Sequence, residues 1–342
     1  MRRVTIGDVA RHAGVSRKTV SRVVNREANV SKGLRDKVEK VISRLHYVPD
    51  RQARSLRSGK SFHLAFVYES PSSYFVISLV EGIRRTCKAH GYELILHETQ
   101  AKGSQLVLSV LEFIERERLD GLLMMPPMTD NEQLLAALDE DEVLYGRVSP
   151  GTGRPGALDV STTDRAAGRE MTDHLLALGH RRIAFIAGHP DHLAMAERLE
   201  GVRDSIRDWT GTPCELLVRP GLNTFESGLT TARELLSMTP RPTAIFAAND
   251  DMAAGVLFEA RELGLEVPDD LSVAGYDDTI LAARIWPGLT TIRQPIRAMG
   301  ERAALCLIER LSNKDAEAGH ALPTTLVKRR STGKAPDSGT GT

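Results

Sequence analysis

The stretch IGDVARHAGVSRKTVSRVVN, from Ile6 to Asn25, decides the fold of the N-terminal part of the chain. Two short helices fit its spacing, because Ala10 is small enough to let a second helix approach and Gly14 supplies a turn conformation that a side chain would disfavour. Val20 then lies on a buried face of the second helix, and Ser16 is placed to cap that helix. The stretch predicts a helix-turn-helix unit.

The second helix exposes long hydrogen-bond donors near its N-terminus, where a recognition helix meets base edges in the major groove. A helical hairpin with a solvated basic face is the alternative, since isolated helix-turn-helix matches are often false. Residues 30–50 favour the first interpretation, because their apolar side chains repeat on one helical face and supply the third helix that such a unit needs. The expected DNA-binding residues are Ser16 at the cap, Arg17, Lys18, Ser21 and Arg22 at base edges, and Thr5, Thr19 and Asn25 at phosphates.

Charge is distributed unevenly along the 342 residues, although the formal net charge is zero. The first 60 residues contain 16 lysines and arginines against 5 acidic residues. A net positive charge on so short a segment suits phosphate binding through counterion release, although a merely solvated basic face remains an alternative.

A second basic stretch, PDRQARSLRSGK, runs from Pro49 to Lys60. Pro49 is typical of the first position of a helix, where the missing N–H has no intrahelical partner to lose. Ala53 and Leu56 form an apolar stripe only one turn long, which is too small to stabilise an isolated helix. The segment therefore needs a partner to fold.

Beyond Lys60 short apolar runs alternate with amphipathic stretches, which indicates parallel sheets covered by helices. Eight such runs divide better into two α/β subdomains than into one wide sheet, and the cleft between the subdomains is the natural ligand site. The runs are HLAFVYE, YELILHE, GLLMMP, EVLYGRV, RIAFIAG, ELLVRPG, TAIFAAN and LSVAGYD, with the less regular PGTGRPGALDVSTTD between the fourth and the fifth.

The sequence contains only incomplete versions of the motifs typical of enzymes and metal sites. SGKS at residues 58–61 resembles the end of a phosphate loop, but the required earlier glycine position is Arg54. HPDH at residues 189–192 lacks a third ligand cluster and reads as a polar loop. No nucleophile elbow or zinc-protease helix motif occurs. We therefore expect no catalytic activity, no metal and no cofactor.

The cellular location is predicted from cysteines and apolar runs. The three cysteines are far apart and form no C-x-x-C pair, so neither a disulfide framework nor a zinc site is indicated. No run has the length of a signal-peptide core or of a membrane span. A protein of the reducing cytoplasm, with no membrane partner, is the expectation.

From Val4 to about Arg330 the chain resembles the LacI family of bacterial transcription regulators. The motifs VTIGDVARHAGVSRKTVSRVVN, VSKGLRDKV, LHYVP and ARSLRSGKS, and later LLALGHRRIAFIAG, AANDDMAAG, LSVAGYDD and LTTIRQP, follow the family pattern in order and spacing. The resemblance implies an all-α DNA-binding head at 1–48, a hinge helix and linker at 49–60, and at 61–331 an α/β body similar to periplasmic sugar-binding proteins. Its first subdomain would be 61–160 with 291–320, and its second 161–290 with 321–331. Residues 332–342 are small and polar, and we expect a disordered tail.

The resemblance also implies how the basic stretch works. The hinge helix would fold on double-stranded operator DNA and pair with the same helix of a second protomer, and Leu56 would be inserted into the minor groove at the centre of a palindromic site. Ala53 would pack between the two helices, and Arg51 and Arg54 would bind the DNA beside Leu56. The helix that begins YFVISLVEGI resembles the dimer surface of the family, which implies a homodimer.

Effector contacts are carried over from the family residue by residue, and the chain departs from common family patterns at Gly146 and Asn223. Hydroxyl-rich ligands suit a mixture of carboxylate, amide and guanidinium groups, so we expect a neutral sugar or short oligosaccharide and a repressor of a carbohydrate-use operon. A regulator that responds to a purine or an organic acid, or a cytoplasmic binding protein without a DNA role, is the alternative. The expected effector-binding residues are Tyr74, Phe75, Arg147, Arg198, Asn223, Asn249 and Asp277.

Overall fold

The computed structural model describes residues 4–24, 29–47, 59–69, 73–314 and 319–336. The chain divides into two compact units, Met1–Ser61 and Phe62–Thr342. This boundary lies within two residues of the end of the predicted linker.

The first unit contains three helices, α1 (Ile6–Ala13), α2 (Arg17–Val24) and α3 (Lys32–Leu45). Gly14 ends α1 with a φ of 62°, in the left-handed region that a glycine adopts without strain, as the sequence predicted. The helices close on a small core that contains Val9, Val20 and Val38, each without solvent exposure. The predicted helix-turn-helix with its third helix is confirmed.

The second unit alternates strands and helices. Its helices are α4 (Ser73–His90), α5 (Gly103–Glu117), α6 (Glu132–Glu140), α7 (Asp164–Ala177), α8 (Ala194–Asp208), α9 (Phe225–Leu236), α10 (Asp250–Glu262), α11 (Ile280–Arg284) and α12 (Ile296–Leu311). A short 3₁₀ turn spans Met128–Asp130. Its strands are β1 (His63–Tyr68), β2 (Glu93–Glu98), β3 (Gly121–Met124), β4 (Tyr145–Val148), β5 (Leu158–Thr162), β6 (Arg182–Ile186), β7 (Glu215–Arg219), β8 (Ala244–Ala247), β9 (Ser272–Asp277), β10 (Thr290–Arg293), β11 (His320–Leu322) and β12 (Thr325–Val327).

These strands form two six-stranded sheets, in the orders β11-β5-β4-β3-β1-β2 and β12-β10-β9-β8-β6-β7. All pairings are parallel except that of β10 with β12. Each sheet is covered by helices on both faces, because parallel strands joined by crossover helices must bury both faces. The prediction of two α/β subdomains is confirmed, and all eight predicted apolar runs contain a strand.

The chain crosses between the subdomains near three positions. β5 ends in the first sheet and α7 packs on the second, β10 lies in the second sheet and α12 packs on the first, and β11 and β12 lie in different sheets. The crossovers at residues 163, 294–295 and 323–324 lie within a few residues of the predicted boundaries.

The expectation of a disordered tail is wrong for residues 332–336. Gly333 N–H donates to Ser272 Oγ at 3.0 Å, and Ala335 N–H donates to the carbonyl of Leu178 at 2.8 Å. Just before them the buried Ser331 donates its hydroxyl to the carbonyl of Val273 at 2.6 Å. Small polar residues suggest disorder by composition, yet their small size also lets the backbone lie against the second sheet. Residues 337–342 lie outside the described part of the chain.

Candidate nucleic-acid interface and ligand cleft

The N-terminal unit positions its two leading helices by side-chain caps. Thr5 and Asp8 form a reciprocal capping box on α1, in which Thr5 N–H donates to Asp8 Oδ2 at 2.9 Å and Asp8 N–H to Thr5 Oγ1 at 3.3 Å. Ser16 caps α2 as predicted, since its Oγ accepts from Thr19 N–H at 3.0 Å. The caps fix where α2 begins and therefore which side chains its first turn presents.

Arg17, Lys18 and Arg22 are exposed on α2, and Ser21 is half-buried beside them. The first turn of α2 contains no acidic residue that would neutralise these donors or oppose a phosphate. The opposite face carries Val20 and Val23, which are buried in the core. The helix therefore presents an exposed basic surface backed by a packed one, as a recognition helix requires.

The hydroxyls expected at phosphates have structural partners. Thr5 Oγ1 donates to Asp8 Oδ2 at 2.7 Å, and Thr19 Oγ1 lies 2.9 Å from Ser16 Oγ. Both residues stay candidates for phosphate contact. The remaining predicted DNA-binding residues, namely Asn25, Arg51, Ala53, Arg54 and Leu56, lie outside the described part of the chain.

The second unit contains a cleft between its two sheets, which residues of both subdomains line. Residues at or just after strand ends and residues at the start of α4 and α8 form its wall. The carboxyl ends of the strands in both sheets face the cleft, where ligands bind in open α/β sheets. From the first subdomain the lining residues are Phe75, Met125, Pro126 and Ser149, and from the second they are His192, Ala194, Met195, Arg198, Asn223, Asn249 and Asp277.

Arg198 is the central cation of the cleft, on the first turns of α8. Its Nε donates to Asp164 Oδ1 at 2.7 Å, and its guanidinium carbon lies 3.6 Å from the centre of the Tyr276 ring. Burial alone would lower the pKa of Arg198, but the Asp164 carboxylate and other nearby groups raise it above its ordinary value, so the side chain stays charged. Gly168 lets α7 approach, since a Cβ there would lie 2.2 Å from the Arg198 carbonyl oxygen.

Asp277 supplies a carboxyl group at the end of β9. Gln294 Nε2 donates to its Oδ1 at 2.6 Å. Burial raises the pKa of Asp277 to about 7, while the charge of Arg198 and the bond from Gln294 act in the opposite direction. At neutral pH the cleft therefore offers a carboxyl group that is close to its titration point.

Two amides complete the polar wall, and their groups are engaged within the protein. Asn249 caps α10, with its Oδ1 accepting from Met252 N–H at 2.9 Å, and its Nδ2 donates to the carbonyl of Asn223 at 2.9 Å. The Asn223 side chain in turn contacts the loop that follows β6, through His189 N–H and the His192 ring.

Five of the seven predicted effector residues line the cleft, and Tyr74 and Arg147 do not. Tyr74 is 40% exposed at the start of α4. Arg147 is buried at 1% exposure and donates bidentately to Asp159, at 2.8 and 2.7 Å, and to the carbonyls of Thr129 and Thr152. Arg147 therefore stabilises the segment after β4, which contains the cleft residue Ser149, without lining the cleft itself.

Sequence reasoning missed Met125, Pro126, Ser149, His192, Ala194 and Met195 as lining residues. Of these, only His192 carried a signal, since it belongs to the HPDH stretch that reads as a polar loop. Among the described residues no group of three or more histidine, cysteine, aspartate and glutamate side chains is arranged to hold a metal ion. No helix in that part of the chain is both long and apolar enough to span a membrane.

Comparison with known families matches both units. Residues 5–50 match the bacterial regulatory proteins of the lacI family, and residues 172–332 match the periplasmic binding protein-like domain. The HTH-type transcriptional repressor PurR of Edwardsiella ictaluri (strain 93-146) is 33% identical over 335 residues, with 97% of this chain and 98% of that protein covered. The chain belongs to the LacI family.

Solved structures agree with this assignment to the LacI family. The lac repressor dimer bound to operator and the anti-inducer ONPF has a TM-score of 0.76 and 29% identity, with 97% of this chain and all of that chain covered. The complex of the transcriptional regulator CelR with cellobiose has a TM-score of 0.72 and 31% identity, with 96% and 100% covered. This LacI-family protein is accordingly a DNA-binding transcription regulator with a ligand-binding body, and the relatives named here are regulators of transcription and not enzymes.

Proposed function

We propose that this protein is a homodimeric repressor of a carbohydrate-use operon, which binds a palindromic double-stranded operator and responds to a neutral sugar or short oligosaccharide. The observation that carries the sugar assignment is the mixed lining of the cleft. A carboxyl group, a guanidinium and a histidine lie there beside the apolar surface of Phe75, Met125 and Pro126. Sugar hydroxyls both donate and accept, and the apolar face of a sugar ring needs such a platform.

An anionic effector fits this wall less well. Arg198 is the only arginine or lysine among the lining residues, all of which belong to the described part of the chain, and its charge is already paired with Asp164. A dicarboxylate would also oppose the negative charge of ionised Asp277. A neutral ligand avoids both costs.

A purine is the second candidate, supported by the 33% identity to PurR. The rings that line the cleft are those of Phe75 and His192. Asn223, which also lines the cleft, is 2% exposed and bonded within the protein, so it offers an amide and no aromatic face. Among the lining residues a flat base would therefore have two aromatic rings to stack on, whereas a sugar would have several polar side chains to bond.

The dimer and the operator follow from symmetry. A palindromic operator has two equal half-sites, so a two-fold protein places one α2 in each. The solved lac repressor is a dimer on its operator. On α4, the helix expected at the dimer surface, Ile77 is 63% exposed, which suits burial against a second copy.

The effector would favour one cleft geometry and so set whether two hinge helices pair on DNA. The role is non-catalytic and belongs to the cytoplasm, where the DNA is.

A binding panel tests the effector class. The purified full chain would be titrated by calorimetry with cellobiose, D-ribose, D-glucose, hypoxanthine, guanine and succinate, with Arg198→Ala and Asp277→Ala as comparison variants. We expect at least one sugar to bind and both variants to lose that binding. Binding of a purine or of succinate, with no sugar response, would contradict the sugar assignment.

A further inference from the structure

His192 lies in the loop between β6 and α8 and lines the cleft with a side chain that is almost entirely enclosed. It is 8% exposed, and its ring centre lies 5.4 Å from that of His189. A buried imidazole can act as a donor or as an acceptor, and which of these it offers depends on which ring nitrogen carries the proton.

The hydrogen bonds of Asn223 determine that proton position. The backbone N–H of His189 can only donate, and it points to Asn223 Oδ1 at 3.1 Å. The other end of the amide is therefore the NH₂ group, which donates to His192 Nδ1 at 3.1 Å. Because Nδ1 accepts this bond it carries no proton, and a neutral ring must then hold its proton on Nε2.

The ring is neutral under ordinary conditions. Burial lowers the pKa of His192 to about 4, and the neighbouring His189 and Arg198 act in the same direction. The nearby carboxylates of Asp191 and Asp130 oppose this effect. Between about pH 5 and 8 the side chain therefore keeps a single proton.

The Nε2 of His192 has no hydrogen-bond partner within the described part of the chain, and the ring lines the cavity. Because this N–H faces the cleft, a ligand acceptor placed there can take the position of the water that would otherwise accept its hydrogen bond. The N–H is thus available to whatever occupies the cleft.

The amide that orients the ring is itself held in place. Asn223 adopts a φ of 64°, and its carbonyl accepts from Asn249 Nδ2 at 2.9 Å. Asn249 is fixed in turn by its cap on Met252 N–H. Asn223 and Asn249 therefore act as positioning residues for His192.

We propose that His192 is a specificity-determining residue of the cleft, a neutral imidazole held by Asn223 that donates a hydrogen bond from Nε2 to an oxygen or nitrogen acceptor of the effector. This inference rests on the proposed function in that it takes the cleft as the effector site. A hydroxyl, ether or ring-nitrogen acceptor satisfies the donor. A ligand that places an ammonium or N–H group at the same position would bring two donors together, so such ligands would bind more weakly.

The proton position can be measured without any effector. Long-range ¹H–¹⁵N correlation spectra of the full chain, labelled at histidine nitrogens, report which ring nitrogen is protonated, and His192→Gln assigns the signals. We expect the Nε2–H form alone from pH 5 to 8. Asn223→Gly keeps the left-handed backbone without strain and removes the amide, so it should produce a mixture of tautomers. Asn131→Gly, which removes the cap of α6, is the matched control and should change nothing at His192.

The contact with a ligand is tested by calorimetry with cellobiose, D-ribose and hypoxanthine. For each of these that binds, His192→Leu should weaken binding about tenfold, because it leaves a ligand acceptor unpaired. His192→Gln retains an N–H donor of similar reach and should lose less. Equal losses in both variants, or none in His192→Leu, would overturn the proposal.

The two proposals fail in different ways. A protonated Nδ1 or an imidazolium at pH 7 in the wild-type chain overturns the role of His192, whatever binds. If none of the three compounds binds, the sugar assignment loses its support, and the spectra alone decide on His192.

Discussion

Asp277 makes the stability of this regulator depend on pH. Its folded pKa of about 7 lies above the ordinary value of 3.8, chiefly because of burial. A raised folded pKa contributes stability that is complete below the unfolded pKa and is lost as the pH rises through the folded pKa. Asp250, whose pKa burial also raises, acts in the same direction. Between about pH 4 and 7 these carboxyl groups favour the folded state less as the pH increases.

Asp277→Asn should remove its share of this dependence. We expect urea unfolding to show the variant gaining stability relative to wild type as the pH rises from 4 to 7. The quantity compared is the difference in unfolding free energy between variant and wild type at each pH. This difference cancels the effect of His180 and His192, whose pKa burial lowers to about 4 and which therefore destabilise both proteins toward acid pH. The exposed Asp269→Asn is the control. A constant difference across the range would show that Asp277 is ionised throughout.

Arg147 is expected to support the fold and not the effector. Arg147→Met would leave the carboxylate of Asp159, whose side chain is 12% exposed, without its partner, which costs up to about 3–5 kcal/mol of unfolding free energy. Arg154→Met, which breaks a solvent-exposed pair with Asp139, should cost less than about 1 kcal/mol. Chemical denaturation measures both. If Arg147→Met keeps its stability and loses sugar binding, the arginine contacts the effector after all.

At the scale of elements, α2 is expected to read bases through its exposed basic side chains. Lys18→Ala should weaken binding to an operator and relax the preference at one base per half-site, because the ammonium donates to guanine O6 or N7. Lys40→Ala removes an exposed lysine from α3 and should do neither. Competition binding against single-base operator variants distinguishes these outcomes. A uniform loss over all sequences would make Lys18 a phosphate contact.

Leu56 carries the prediction for the hinge segment, which lies outside the described residues. If its side chain unstacks a central base step, Leu56→Ala should lose about 1–3 kcal/mol of operator affinity. Effector binding should stay intact, since the cleft lies in the other unit. Unchanged operator affinity, measured by fluorescence anisotropy, would exclude the wedge.

The elements show which parts of the fold could be predicted. The helix-turn-helix followed from a turn glycine, a cap and a buried valine face, all of which act within a few residues. The eight predicted strands lie in runs rich in apolar residues. The central strands are mostly buried, as parallel sheets require, and the edge strands β2 and β7 are partly exposed. β5, β10, β11 and β12 were not among the predicted strands. The stretch that contains β5 is irregular in its hydrophobic pattern, and the other three strands have three or four residues with at most two adjacent apolar ones, so they are held by their neighbours in the sheet.

At the scale of the whole molecule, the polar lining residues that the family resemblance carries over were predictable. The strand-end residues Met125, Pro126 and Ser149 and the residues His192, Ala194 and Met195 after β6 were not. Arg198, Asn249 and Asp277 line the cleft as expected. Arg147 does not, because the alternation along β4 turns it toward Asp159. The role of Asn223 depends on a bond to a histidine 31 residues away, which no local pattern encodes.

The central claim is that effector binding controls specific DNA binding by this protein. The most direct measurement is selection of random duplex DNA by the purified full chain, repeated with and without each sugar of the panel. We predict enrichment of a single palindrome, and a change of at least tenfold in affinity for that palindrome when one of the sugars is bound. Enrichment of no sequence, or a palindrome whose affinity no sugar changes, would contradict the account.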